Sequence, residues 1–310
     1  MIAESAPAIL RQAANSVYHA GTGGFQTHFI CNVCGQRGET PDKSQDPEIP
    51  TCSGCRSNVR TRGLLWVLSQ ELFGGSLQLP SFPCVKSLRG FGTSDSEIYD
   101  SRLEAKLGYH NTYFHREPRL DIANPPESEL GRYDFVISSE VLEHVAPPAE
   151  AAFQSVYRLL RPNGVFVFTV PYSLLESTVE HFPELHEYNV ARVGDRHVLV
   201  NRTREGKIEV YEDLVFHGGA GSTLEMRVFC EADLKRMLTD AGFRDVRIYS
   251  EDFPPFGILR NGPCSLPIAA RKGQFGLPLE ATRELIEQWD RFMGARWTRL
   301  GRKLRLLRSR

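Results

Sequence analysis

The sequence predicts an α/β fold in which helices cover both faces of a largely parallel sheet. From about residue 83 onward, short apolar segments alternate with segments of helical periodicity. Two of the apolar segments, YDFVISS and VFVFTVPY, are almost continuously apolar, as expected of strands buried on both faces. The pair EADLKRMLTDAG and FRDVRIYSEDF repeats the helix–strand alternation later in the chain. This alternation favours parallel strands joined by helical crossovers.

The first 78 residues predict an N-terminal module followed by a linker helix. Residues 1–27 have helical character and end in a glycine-rich stretch, and a cysteine-containing segment follows at about 28–57. In GLLWVLSQELFGG the apolar residues recur at helical spacing, and the two glycines end the helix.

The predicted core occupies residues 79–260. Its elements, in order, are a strand VKSLRGFG running into a glycine turn, a helix SEIYDSRLEAKLG, strands HNTYFHRE, RLDIAN and YDFVISS, helices EVLEHV and AEAAFQSVYRLL, a turn RPNG and the strand VFVFTVPY. A polar insertion at 173–225 then interrupts the core, and within it HVLVNRTREGKIEVYEDLVF alternates around REGK as a β-hairpin does. Such an insertion is suited to a lid over a substrate.

Residues 261–310 predict a basic, amphipathic, helical tail. A helix begins near Leu279, and from Arg291 to Arg310 there are eight Lys and Arg residues and no acid. Such a helix binds RNA, an anionic membrane or a partner, or it docks on its own protein with the arginines in solvent.

Composition narrows the class of protein. The net charge of −1 provides no general attraction to nucleic acid or membranes. No run approaches the roughly 18 apolar residues that span a bilayer. The N-terminus contains Glu4 and no long apolar stretch, which is unlike a signal peptide. We therefore expect a cytoplasmic protein; the oligomeric state is not predicted.

Four of the seven cysteines form two pairs, Cys31-x2-Cys34 and Cys52-x2-Cys55. In a reducing compartment paired thiols are more often metal ligands than disulfides. Each pair grips one ion from a tight turn, and the 17 residues between the pairs are a usual spacing for a four-cysteine zinc site. Four thiolates leave no open position for catalysis, so we expect structural zinc in a zinc-ribbon-like module.

Several motifs resemble the class I methyltransferases that use S-adenosylmethionine, particularly their small-molecule group. YDFVISSEVLEHV is similar to that family's fourth strand and following helix, LLRPNGVFVFTVP to its fifth-strand unit, and RVFCEADLKRMLTDAGFRDVRIY to its closing helix–AGF–strand unit. The resemblance covers about residues 83–253 and implies a Rossmann-like, mostly parallel sheet of seven strands. It also implies that the cofactor lies across the carboxyl ends of the strands.

The resemblance assigns candidate residues for S-adenosylmethionine. The family's glycine loop corresponds to LRGFGTSD, where two glycines remain, Ser94 replaces the third, and the usual acid is missing. By position, the resemblance implies cofactor contacts from the following residues: Gly90, Phe91, Gly92 and Asp95 in the loop, Glu117 at the ribose, Asp121 near the adenine, and Ser138 and Ser139 at the end of the fourth strand.

The run Ser139-Glu140-Val141-Leu142-Glu143-His144 follows that fourth strand. On a helix Glu140, Glu143 and His144 would share one face, and two carboxylates with an imidazole suit Mg²⁺ or another divalent ion. Some methyltransferases of the family are similar in this run and bind metal there. Two other interpretations stay open: His144 as a general base, and acids that only favour the helix N-terminus.

The insertion and the residue directly before it, Tyr172, supply further candidates. We expect Tyr172, His181 and His186 to contact substrate and His217 to act as a base or a further metal ligand. Histidines at the edge of the cleft and in the lid favour O-methylation of a small metabolite or sugar, because an oxygen acceptor must lose its proton. The alternatives are an RNA methyltransferase that binds RNA through the zinc module and basic tail, and a non-catalytic binding module whose cofactor loop has degenerated.

Overall fold

The computed structural model describes residues 28–39, 46–217, 223–260, 262 and 265–294. The predicted helix within residues 1–27 and the tail beyond Gly294 lie outside these residues. The N-terminal part contains the short antiparallel strands β1 (His28–Ile30) and β2 (Arg37–Glu39), and helix α1 (Val59–Phe73). Asn58 caps α1 through its side chain, and Gly74 ends the helix in a left-handed conformation.

A six-stranded mixed sheet forms the centre of the molecule. Its strands, in chain order, are β3 (Val85–Thr93), β4 (Leu107–Thr112), β5 (Tyr133–Ser139), β6 (Leu160–Thr169), β15 (Asp245–Ile248) and β16 (Ile268–Arg271). Their order across the sheet is β15-β16-β6-β5-β3-β4. The four strands β4, β3, β5 and β6 are parallel, β16 runs antiparallel to β6, and β15 runs antiparallel to β16.

Alternate residues of the strands pack against layers on the two faces, as the continuously apolar pattern predicts. Phe135 and Ile137 of β5 face the cluster formed with α1 and helix α2 (Asp100–Lys106). Val136 faces the cluster formed with helices α3 (Glu150–Leu159) and α4 (Glu231–Ala241). Buried residues of the cysteine module belong to the first cluster, so the module shares its core with the sheet.

The insertion forms its own small strands. These are β7 (Tyr172–Ser173), β8 (Val179–Glu180), β9 (Glu187–Val193), β10 (Arg196–Arg202), β11 (Ile208–Tyr211), β12 (Phe216–His217), β13 (Thr223–Leu224) and β14 (Arg227–Cys230). The predicted hairpin is confirmed as β10–β11, which β9 extends to three strands. Helix α5 (Leu279–Gly294) begins where the sequence indicates.

Three predictions of local structure were wrong. The sheet has six strands rather than seven, because RLDIAN contributes only an isolated bridge between Tyr113 and Arg119. A second parallel strand needs a crossover of about a dozen residues, and only Pro118 separates the two predicted segments.

The glycines of VKSLRGFG lie within β3 instead of a turn. The segment EVLEHV forms a single 3₁₀ turn, Leu142–His144. Pro147 and Pro148 follow closely and prevent a helix from continuing through them.

Candidate functional site

The four parallel strands end side by side at Thr93, Thr112, Ser139 and Thr169. From β3 the chain proceeds to one side of the sheet, to β4, and from β5 it proceeds to the other side, to β6. The carboxyl edge between β3 and β5 is therefore the switch point at which α/β sheets bind ligands. The buried Ser138 is tied to this point, because Thr93 Oγ1 donates to Ser138 Oγ at 2.9 Å.

The turn after β3 places Asp95 in a buried position. Ser94 has a left-handed φ of 55°, and its N–H bonds to Thr112 O at 2.7 Å. The Tyr109 hydroxyl donates to Asp95 Oδ2 at 2.7 Å. Burial raises the pKa of Asp95 to about 7, although this hydrogen bond favours the carboxylate.

The glycines before this turn have a packing role that the motif did not indicate. A Cβ atom on Gly90 would lie 2.4 Å from the ring of Phe135, and one on Gly92 would lie 2.1 Å from Asp95 Oδ2. Only glycine fits where a ring or a carboxylate packs directly on the strand. Phe91 is fully buried on the opposite face. Direct cofactor contact by these three residues stays a prediction.

Glu117 and Asp121 lie in the loop beyond β4. Glu117 is exposed, and its carboxylate accepts the N–H of Arg119 at 2.9 Å. Asp121 is half-buried and accepts the N–H of Ala123 at 2.9 Å. Both acids form local turns, and their ribose and adenine roles stay predictions.

The predicted common face of Glu140, Glu143 and His144 does not exist. Glu140 has a left-handed φ of 54°, and its Oε2 accepts a hydrogen bond from Ser265 Oγ at 3.2 Å. Burial, followed by the nearby charge of Glu143, raises the pKa of Glu140 to about 8. Because a 3₁₀ turn replaces the helix, Glu140 is not part of the cluster of ligand atoms to which the other two residues belong.

Glu143 and His144 instead meet His217 from strand β12. His144 Nε2 lies 3.5 Å, and His217 Nδ1 lies 3.6 Å, from Oε1 of the fully buried Glu143. The two imidazole nitrogens are 3.2 Å apart. Neither Glu143 oxygen has a hydrogen-bond partner in the described part of the chain. One ligand atom from each residue falls within a 4.8 Å cluster.

A second layer of groups orients these imidazoles. Leu224 O lies 2.8 Å from His144 Nδ1, and Glu225 Oε2 lies 2.9 Å from His217 Nε2. These contacts direct His144 Nε2 and His217 Nδ1 toward Glu143. Metal-binding histidines are held in this way by a carbonyl or carboxylate on the other ring nitrogen.

The same carboxylate links His181 to the cluster. Glu225 Oε1 lies 3.0 Å from His181 Nε2. Although burial opposes ionisation, the hydrogen bonds from His181 and His217 lower the pKa of Glu225 to about 2. The neighbouring carboxylates of Glu143 and Glu225 stabilise the protonated imidazole and raise the pKa of His217 to about 10.

The other two residues predicted to contact substrate, Tyr172 and His186, lie apart from this cluster. Tyr172 is buried where β7 pairs with β14. The side chain of His186 is exposed, and its N–H bonds to Asn201 Oδ1 at 2.9 Å. Their contact with substrate stays a prediction.

The four paired cysteines converge in the N-terminal module. Cys31 Sγ lies 3.6 Å from Cys55 Sγ, and Cys34 Sγ lies 3.6 Å from Cys52 Sγ. All four sulfurs lie within 4.8 Å of one another. Bonds of about 2.3 Å to a tetrahedral zinc ion place sulfurs about 3.8 Å apart, so the donor set fits zinc.

The sequence did not indicate a role for two arginines of α1, although both lie in the segment RSNVRTR, which directly follows Cys55. Arg62 is fully buried and donates to Ser57 O and Gly257 O, both at 2.9 Å. Arg60 reaches the carboxyl edge of the sheet, where its Nη1 donates to Ser139 Oγ. Helix α1 therefore contributes a side chain to the carboxyl edge of the sheet. No helix among the described residues is long and apolar enough to cross a membrane.

In comparisons with known proteins, residues 83–248 match the family model described as a methyltransferase domain. No curated protein matches the chain. Among solved structures, the chain is similar to a Burkholderia thailandensis 1,6-didemethyltoxoflavin-N1-methyltransferase with bound S-adenosylhomocysteine. Its identity is 15%, its TM-score is 0.37, and 70% of this chain and 79% of that chain are covered.

Two further solved structures give similar values. A putative S-adenosylmethionine-dependent methyltransferase from Listeria monocytogenes is 14% identical with a TM-score of 0.39, covering 70% of this chain and 99% of that chain. The sugar N-methyltransferase KedS8 from Streptoalloteichus is 12% identical with a TM-score of 0.36, covering 61% and 81%.

Proposed function

The chain belongs to the methyltransferase domain family, whose pattern matches more than half of its residues, and is a methyltransferase of the S-adenosylmethionine-dependent class; we propose that it methylates a hydroxyl oxygen of a small metabolite or sugar. The observation that carries this proposal is the cluster of Glu143, His144 and His217. A hydroxyl needs its proton removed or its oxygen polarised, whereas a neutral amine does not.

The cofactor has a matching site at the switch point. S-adenosylmethionine, when bound, supplies an electrophilic methyl group. The turn at Ser94–Asp95 and the end of β5 at Ser139 are the protein groups that would hold it. Asp95 Oδ1 is buried without a hydrogen-bond partner among the described residues, although the Tyr99 hydroxyl is near enough to lower the pKa of Asp95. A cofactor ammonium group would supply a partner for that oxygen.

A divalent ion has a matching site beside it. Two imidazoles and one carboxylate form a ligand set that suits first-row transition ions, with positions left for an acceptor oxygen. Such an ion would lower the pKa of the acceptor hydroxyl. Glu225 and Leu224 O would keep the ligating nitrogens of His217 and His144 in place. This donor set contains His217 in place of Glu140, and it favours Mn²⁺ over Mg²⁺.

We also propose a structural zinc ion at Cys31, Cys34, Cys52 and Cys55. The hydrogen bond to Cys55, together with burial, raises the pKa of the Cys31 thiol to about 12, so a buried cluster of thiolates requires a cation. Zinc would stabilise the module and thereby hold α1 against the sheet. In this arrangement zinc takes no part in the chemistry.

One calorimetric series tests the proposed function. S-adenosylhomocysteine is titrated into the full-length protein, and Mn²⁺ is then titrated into the saturated and the unsaturated protein. We expect both to bind. Absence of heat with S-adenosylhomocysteine would refute cofactor binding, and absence of Mn²⁺ binding would refute the metal-assisted mechanism.

A further inference from the structure

Arg260 is a buried cation in the loop between β15 and β16. Only 9% of its surface is exposed. Its backbone N–H donates to Asp252 Oδ1 at 2.8 Å, and its Nε donates to Glu251 O at 3.3 Å. Nη2 is buried without a hydrogen-bond partner among the described residues. Burial lowers the pKa of Arg260 to about 10, so the guanidinium is still charged at neutral pH.

The guanidinium of Arg260 makes no direct ion pair in the part of the chain that the structure describes, although the charges of Asp252 and Glu251 act on it. A buried charge without a directly paired counter-charge is costly. Gly63 of α1 allows this placement, because a Cβ atom there would lie 2.9 Å from Arg260 Nη2. An anion beside Nη2 would supply the missing charge and hydrogen bond.

A second guanidinium faces the same small cavity. The cavity is lined by Val59, Arg60, Arg260, Ser265 and Leu266, among others. Arg60 donates to Ser139 Oγ and pairs with Glu48, whose Oε2 lies 2.7 Å from Arg60 Nη2. The two guanidinium groups form a donor set for a carboxylate or phosphate.

The position of this cavity relates Arg260 to the acceptor. The expected cofactor contacts lie at the ends of β3 and β5 and beyond β4, and of the two arginines it is Arg60 that bonds to one of them, Ser139. Arg260 interacts electrostatically with Tyr172, which directly follows β6, and Ser265 bonds to Glu140 after β5. The charge of Glu143 raises the pKa of Glu140, and the charge of Arg60 lowers it. These contacts place the cavity on the β5–β6 side of the switch point.

We propose that the methyl acceptor carries an anionic group, a carboxylate or a phosphate, which Arg260 and Arg60 bind in this cavity. This inference rests on the proposed function for the existence of an acceptor. The anionic group anchors one end of the acceptor, while the hydroxyl to be methylated is directed to Glu143, His144 and His217. Alignment of this kind accounts for much of what a methyltransferase contributes.

The test measures binding of inorganic phosphate to the full-length protein saturated with S-adenosylhomocysteine. We expect Arg260→Met and Arg60→Met to weaken phosphate binding by roughly tenfold or more. Arg260→Lys should retain part of the affinity because it retains the charge. Arg236→Met, at an exposed arginine of α4 paired with Asp233, is the matched control and should bind phosphate like the wild type.

Two results would overturn the inference. One is wild-type phosphate affinity in both methionine variants, with folding checked by circular dichroism. The other is competition between phosphate and S-adenosylhomocysteine, which would assign the arginines to the cofactor's own carboxylate. If Arg260→Met does not fold, Arg260→Lys and Arg60→Met decide the same question. Failure of S-adenosylhomocysteine to bind the wild type is a separate readout and refutes the proposed function; phosphate binding is then measured without it.

Discussion

His217 Nδ1 lies 3.2 Å from His144 Nε2, and both nitrogens face the same oxygen of the buried Glu143. The two histidines are separated by 73 positions in the sequence. His217 enters from the insertion, whereas His144 follows a core strand. The insertion therefore contributes a chemical group to the edge of the sheet.

The first prediction concerns the metal ligands. Replacement of Glu143 by Gln keeps the volume of the side chain but removes its charge, and we expect Mn²⁺ affinity to fall by roughly 100-fold. Isothermal titration calorimetry measures this directly. Glu140→Gln is the matched control, because Glu140 bonds to Ser265 outside the cluster. Equal losses in both variants would contradict the assignment of His217 as the third ligand in place of Glu140.

The second prediction concerns zinc. We expect about one zinc ion per chain by elemental analysis. Cys52→Ser should lose most of it and destabilise the protein, because the buried module shares its core with α1. Cys84→Ser is the control, since Cys84 is exposed and lies outside the cysteine cluster. Zinc-free wild-type protein that retains its fold would exclude the structural role.

The third prediction concerns the dependence of stability on pH. In the unfolded chain Asp95 has the ordinary pKa of an aspartate, 3.8, whereas burial raises its pKa to about 7 in the folded protein. Between these values the folded state binds more protons, so the free energy of unfolding decreases as pH rises and levels off above about pH 7. The stabilising contribution is fully present below the unfolded pKa.

Urea denaturation of the wild type and of Asp95→Asn tests this dependence. The asparagine cannot ionise and still accepts the hydrogen bond from Tyr109. Between about pH 4.5 and about pH 8 we expect the wild type to lose about 3 kcal/mol relative to the variant. Parallel pH curves for the two proteins would show that Asp95 is not buried as the structure has it.

The fourth prediction concerns the glycines of β3. Gly90→Ala places a methyl group against the Phe135 ring, and we expect a loss of roughly 1–3 kcal/mol in the free energy of unfolding. Gly75→Ala is the matched control, because a Cβ atom there meets nothing within 4 Å. If Gly90→Ala were as stable as wild type but bound S-adenosylhomocysteine more weakly, the glycine would serve the cofactor instead of the packing.

Local patterns in the sequence predicted the elements whose structure depends on their own residues. The strand Tyr133–Ser139, the hairpin of β10 and β11 and the helix ended by Gly74 all occur as expected. Their periodicity and turn residues are sufficient because side-chain direction follows directly from backbone period. The same reasoning failed at EVLEHV. Its residues have helical spacing, but the prolines that follow prevent an α-helix, and the segment forms a 3₁₀ turn.

The candidate site depended less on local pattern. Glu143 and His144 were identified in the sequence, but Glu140 was grouped with them because a helix was assumed. Glu225 and Arg260 carry no local signal, because an isolated acid or arginine is ordinarily a surface residue. Their burial follows from strands that pair far along the chain, such as β14 with β7 and β16 with β6.

The sequence by itself determined the α/β architecture, the paired cysteines and the candidates at the end of β5, because each depends on spacing within a few residues. Only the tertiary structure decided which acid and which histidines share a site and which buried arginine makes no direct ion pair among the described residues. These relationships depend on backbone turns and on contacts between residues dozens of positions apart, and no local periodicity specifies them.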